Sequence, residues 1–60
     1  MKKTFKFMAQ TPFGIDEPKY FVQFKDIIKD KYYTERLRIA TMRFAIDYNV
    51  DFDMVMVNEI

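Results

Sequence analysis

A chain of sixty residues with no cysteine and no histidine must hold itself together by packing alone. A domain this short buries only about 60% of the surface its unfolded chain exposes. Its one core supplies roughly 3–5 kcal/mol. Small folds usually add a disulfide or a structural metal. Here no disulfide can form, no thiolate metal site can be built, and the commonest transition-metal ligand is missing. What is left is aromatic packing, by seven Phe and four Tyr, together with self-association or a partner. Half of the residues are apolar, too many for a disordered chain, and the length makes one domain.

The apolar residues are ordered in two periods. From 3 to 9, Phe5, Phe7 and Ala9 alternate with Thr4, Lys6 and Met8, the pattern of a half-buried strand. Residues 10–18 hold both prolines and the only glycine, and read as a loop. Residues 19–28 fit two patterns. As a strand they set Tyr20, Val22 and Phe24 on one face and Phe21, Gln23 and Lys25 on the other. As a helix they align Tyr20, Phe21, Phe24, Ile27 and Ile28, with Pro18 as a helix start. Aromatic and β-branched content favours the strand, and two strands around a turn-rich loop make a hairpin.

Residues 30–48 carry the clearest helix. Leu37, Ala40, Thr41, Phe44 and Tyr48 recur at three- and four-residue steps, flanked by Ile39 and Ala45. Asp30 or Thr34 can cap its start and Asn49 its end. From 50 to 57 alternation returns, with Val50, Phe52, Met54 and Met56 on one face and Asp51, Asp53, Val55 and Val57 on the other. The expected fold is therefore α+β, a three-stranded antiparallel sheet in the order ββαβ with one helix on one face. The alternative is βααβ. The expected core joins Phe5, Phe7, Val22, Phe24, Phe52 and Met54 to Leu37, Phe44 and Tyr48.

Charge is segregated. All ten Lys and Arg precede position 44, where they meet five acids, for about +5; residues 44–60 carry Asp47, Asp51, Asp53 and Glu59, for about −4. Lys29, Arg36 and Arg43 recur every seven residues and form a basic stripe with Tyr32 and Tyr33 nearby, which suits phosphates and stacked bases. The more ordinary reading is a solvated helix face whose long stems cover apolar surface. A pI near 8 is low for a dedicated nucleic-acid domain.

Catalysis finds little to work with. Without Ser, Cys or His the usual nucleophile–base pairs cannot be built, and one glycine excludes a phosphate-cradling loop. Asp51 and Asp53 are the one carboxylate pair suited to a divalent cation, and they read more simply as a solvated edge that resists aggregation. The expectation is a chain that is not an enzyme, with no cofactor and no metal.

An interface is the stronger expectation. In the three-stranded arrangement Met8, Phe21, Val55 and Val57 fall on the outer sheet face with no second helix to cover them, beside Asp51 and Asp53. Five methionines add adaptable contacts, and two open sheet edges invite strand addition. Lys2 and Lys3 before Phe5, Phe7 and Met8 do not make a signal peptide, because Lys6 breaks the apolar run and no small-residue cleavage site follows. No window approaches eighteen apolar residues, so the reading is a soluble, cytoplasmic chain with no membrane partner.

The composition also carries a resemblance. Phe, Tyr, Met, Ile, Asn and Lys supply 31 residues, against nine for Gly, Ala, Arg and Pro, a bias toward AT-rich codons. A short aromatic-rich chain of this kind resembles the small accessory proteins of tailed bacteriophages. Length and element order, with Phe7-Met8 and Lys25-Asp26, are similar to phage antitoxins that block a host RNA-cleaving toxin. The resemblance implies a small interaction protein in the host cytoplasm. It would bind and inhibit or modulate a host protein by occlusion or charge mimicry. The alternative is a small nucleic-acid-binding or transcription-modulating protein, and a homodimer is a candidate form of either.

Overall fold

The structure, a computed structural model, describes residues 1–11 and 19–60. β1 (Lys2–Thr11) and β2 (Lys19–Ile28) pair antiparallel from Lys2 opposite Ile28 to Thr11 opposite Lys19. The helix α1 (Tyr33–Tyr48) follows, then a 3₁₀ turn (Phe52–Met54) and a short strand β3 (Met56–Glu59). β3 pairs antiparallel with β1, so the sheet order is β2-β1-β3 with β1 in the centre. The fold is the expected α+β arrangement in the order ββαβ, and residues 19–28 are strand. The expected loop lies outside the described residues apart from Gln10 and Thr11, which belong to β1.

The helix starts where Asp30 folds the chain back. Its carboxylate accepts the Tyr32 N–H at 2.9 Å and its carbonyl the Tyr33 N–H at 3.1 Å. The first cap residue is Tyr32, without a side-chain bond, so Asp30 acts two residues earlier than a direct cap and Thr34 does not cap at all. The helix ends at Asn49, whose φ of 53° and ψ of 50° are left-handed. Asn tolerates that region at lower cost than most residues. There the Asn49 and Val50 N–H groups donate to the carbonyls of Ile46 and Ala45 at 3.3 and 3.0 Å, closing the last turn.

The core forms where β1 meets α1. Phe5, Phe7, Ala9 and Ile27 are buried against Ala40 and Phe44, with Phe21, Leu37, Tyr48, Val50, Val55 and Val57 packed around them. Phe7 and Phe44, each 1% exposed, stack with ring centroids 6.1 Å apart. The Thr41 hydroxyl donates to the Leu37 carbonyl at 2.7 Å, so the buried polar group on the helix face is satisfied.

Two parts of the expected core are corrected. Directly opposed residues of an antiparallel pair share a face. Phe5, Phe7 and Ala9 stand opposite Lys25, Gln23 and Phe21, so Phe21 and Ile27 look toward the helix while Val22 and Phe24 look away. Both faces of β2 are apolar enough to be buried, and its pairing with β1 makes the choice. In the last segment the 3₁₀ turn, held by Met54 N–H to Asp51 C=O at 2.9 Å and Val55 N–H to Phe52 C=O at 3.2 Å, takes up residues that strict alternation counts as strand. The phase shifts, so Val55 and Val57 join the core while Phe52 and Met54 are exposed.

Candidate protein-interaction surface

Because β1 turns its odd-numbered residues to the helix, its even-numbered ones form a second face with their neighbours in register. Met8 lies between Val22 and Met56, and Lys6 between Phe24 and Asn58. Tyr20 extends the patch opposite Gln10, and Ile28 lies at its far end opposite Lys2. Among the described residues no helix or strand packs on this face. Tyr20, Val22, Phe24 and Met56 keep 42–61% of their surface in contact with solvent. Four large apolar side chains of which two are aromatic expose on the order of several hundred Å², the size range of functional patches on small proteins.

The polar residues of this face, Lys2, Thr4, Lys6, Gln10, Asp26 and Asn58, lie beside and beyond the patch. The Thr4 hydroxyl donates to the Asp26 carboxylate at 2.7 Å, which occupies that acid locally. Lys6 stands half-buried between Phe24 and Asn58, two residues before Met8, and no ion pair among the described residues involves it. The patch is thus an apolar surface with Lys6 against it, and Lys2 stands at the far end beside Ile28.

Of the expected interface residues, Met8 lies on this outer face. Phe21, Val55 and Val57 are on the opposite face, half-buried in the core, for the register and phase reasons given above. Asp51 and Asp53 are exposed residues at the 3₁₀ turn and do not share a strand face. No group of three or more Asp or Glu that could hold a metal occurs among the described residues.

The basic stripe is largely neutralised by its neighbours. Lys29 lies before the helix and meets Glu59 at 3.2 Å; Arg36 meets Asp30 at 3.1 Å; Arg43 approaches Asp47, one turn on, at 3.9 Å. Tyr33 and Tyr32 lie under the ammonium groups of Lys29 and Lys31, at 5.6 and 5.0 Å from the ring centres. Lys29 and Glu59 therefore join the basic and acidic parts of the chain within the fold. Each of these pairs is solvent-exposed and worth little energetically, but each lowers the positive field a phosphate backbone would meet.

Two further apolar features escaped the expected core. Ile39, Met42 and Ile46, spaced three and four apart, make an exposed stripe on the helix. Met42 and Ile46 border an open groove of about 640 Å³ with Arg38, Val50 and Phe52. Ile39 borders another of about 300 Å³ between the helix and the β2 edge, with Ile27 and Ile28. The three- and four-residue spacing of that stripe was the signal available in the sequence. No helix among the described residues is long and apolar enough to cross a membrane.

No family model, curated protein or solved structure matches this chain.

Proposed function

We propose that this chain is a non-enzymatic protein-binding module, which uses the outer face of its sheet to bind and inhibit or modulate another protein. The observation that carries this reading is the row Met56–Met8–Val22 with Phe24 and Tyr20 beside it, a continuous apolar surface on a face that the helix leaves open. The partner it suits presents apolar side chains around a carboxylate, because Lys6 stands among the apolar residues and would otherwise lose hydration without compensation. Binding would act by occlusion. If the chain is phage-encoded, that partner is a host protein in the host cytoplasm. The exposed acids Asp51 and Asp53 at the 3₁₀ turn remain available for charge mimicry. The nucleic-acid alternative is less favoured, since Lys29, Arg36 and Arg43 each face a carboxylate.

The test compares tagged wild-type protein with Val22→Lys/Met56→Lys in nuclease-treated bacterial lysate. These two positions flank Met8 and carry no core contact. The expected result is one nuclease-resistant partner held by the wild type and lost by the variant. Capture that disappears with nuclease, or that the variant retains in full, would overturn the reading.

A further inference from the structure

Backbone hydrogen bonding in an antiparallel pair alternates, so each residue of an edge strand turns its N–H and C=O either to its neighbour or outward. The Lys29 N–H donates to the Met1 carbonyl at 2.8 Å, which places the odd-numbered residues of β2 in the bonded pairs with β1. The Ile60 N–H donates to the Thr4 carbonyl at 2.9 Å, which turns the even-numbered residues of β1 to β3 in the same scheme. It follows that Tyr20, Val22, Phe24, Asp26 and Ile28 direct their N–H and C=O groups to the open side of β2, an edge of the sheet. Long flat edges of this kind are templates for another strand unless they are blunted by proline, bulges or charge. The described strand holds no proline, its unbroken pairing with β1 leaves no bulge, and from Tyr20 to Ile28 its charges are one of each sign, Lys25 and Asp26.

We infer that a second copy of this chain adds to the β2 edge, antiparallel about a two-fold axis at Phe24, making one continuous six-stranded sheet. The side chains of β2 select both this occupant and its register. A two-fold axis normal to the sheet pairs residues of the same face only. With Phe24 opposite its own copy, Tyr20 meets Ile28 on the outer face and Phe21 meets Ile27 on the helix face, each pair occurring twice. Gln23 then meets Lys25, and Val22 meets Asp26. Moving the centre to Gln23 sets Phe21 against Lys25 and Tyr20 against Asp26. Moving it to Lys25 sets that lysine against itself. Only the register centred at Phe24 joins the apolar ends of the strand to one another.

Five bonded pairs, at two hydrogen bonds each, give about ten across the junction, a typical number for a specific interface. The ladder would run about 30 Å. The groove beside this edge, bordered by Ile27, Ile28, Arg36 and Ile39, lies along the junction, and Ile39 is 62% exposed in the single chain. Addition at the edge leaves the outer sheet face open and doubles its width, so this association is compatible with a partner on that face and does not depend on one.

The experiment is sedimentation equilibrium on the whole chain beside two proline variants. In Val22→Pro the lost N–H pointed outward, so the fold should persist, with unchanged circular dichroism, while self-association weakens at least roughly tenfold. In Gln23→Pro the lost N–H was bonded to β1, so the fold itself should weaken. A second measurement fixes the register. Phe24→Cys, the only cysteine in its chain, should cross-link to its copy under mild oxidation, and Ile28→Cys should not. A wild type that stays monomeric at 100-micromolar order of concentration, a Val22→Pro variant that dimerises as the wild type does, or cross-linking at position 28 in preference to 24 would overturn the inference.

Discussion

Phe21 on the edge strand and Tyr48 in the last turn of the helix stack with ring centroids 4.8 Å apart and planes 28° from parallel. Tyr48 in turn lies 4.6 Å from Phe44, so one aromatic run ties the sheet edge to the buried centre of the helix. Phe21→Ala should cost about 2 kcal/mol, less than a full core truncation because the ring is half-buried. A double-mutant cycle with Tyr48→Leu should return a coupling of about 0.5–1.5 kcal/mol. Additive effects in urea unfolding would mean that the stack carries no energy of its own.

Phe44 is the residue the domain can least spare. It contacts Phe7 and Tyr48 and is almost fully enclosed. Phe44→Ala should cost about 3–5 kcal/mol, which is comparable with everything a domain of this size has to spare. The expected outcome is loss of a cooperative thermal transition, read by circular dichroism at 222 nm.

Asn49 closes the helix at a positive φ, the single non-glycine residue with one among the described residues. Asn49→Gly should leave stability unchanged or raise it slightly. Asn49→Val, which places a β-branched side chain in the left-handed region, should lower it by about 1–2 kcal/mol. Equal midpoints for the two variants would show that the helix does not end in this conformation.

The ion pair of Lys29 and Glu59 links the start of the helix region to β3, yet both side chains are more than a third exposed. Glu59→Gln should therefore cost less than about 1 kcal/mol, and added salt should shrink the difference further. A larger, salt-insensitive loss would point to a role for Glu59 in the strand pairing with Phe5 rather than in the ion pair.

The hairpin, the helix and its buried stripe were legible because each is a local pattern. Leu37, Ala40, Phe44 and Tyr48 repeat at helical spacing, and Phe5, Phe7 and Ala9 alternate with Thr4, Lys6 and Met8. Which face of β2 is buried was not legible. Tyr20, Val22 and Phe24 are as apolar as Phe21 and Ile27, and only the pairing with β1 decides between them. The phase of the last segment was hidden for a related reason. A single 3₁₀ turn at Phe52–Met54 moves Val55 and Val57 to the helix side, and nothing as strong as a proline or glycine marks it. Of the residues expected on the outer face, Met8 lies there, and Val22, Phe24 and Met56 take the places assigned to Phe21, Val55 and Val57.

One face of the sheet holds the fold, and the other carries the proposed binding surface. Urea unfolding of Val22→Lys/Met56→Lys, in solution dilute enough to be monomeric and beside Val55→Lys/Val57→Lys, separates the two faces. The outer pair should lower stability by less than about 1 kcal/mol, the scale of strand propensity alone. The inner pair should abolish the cooperative transition by forcing charge into the core. An outer pair that unfolds the chain, or an inner pair that leaves it as stable as the wild type, would contradict the assignment of the two faces.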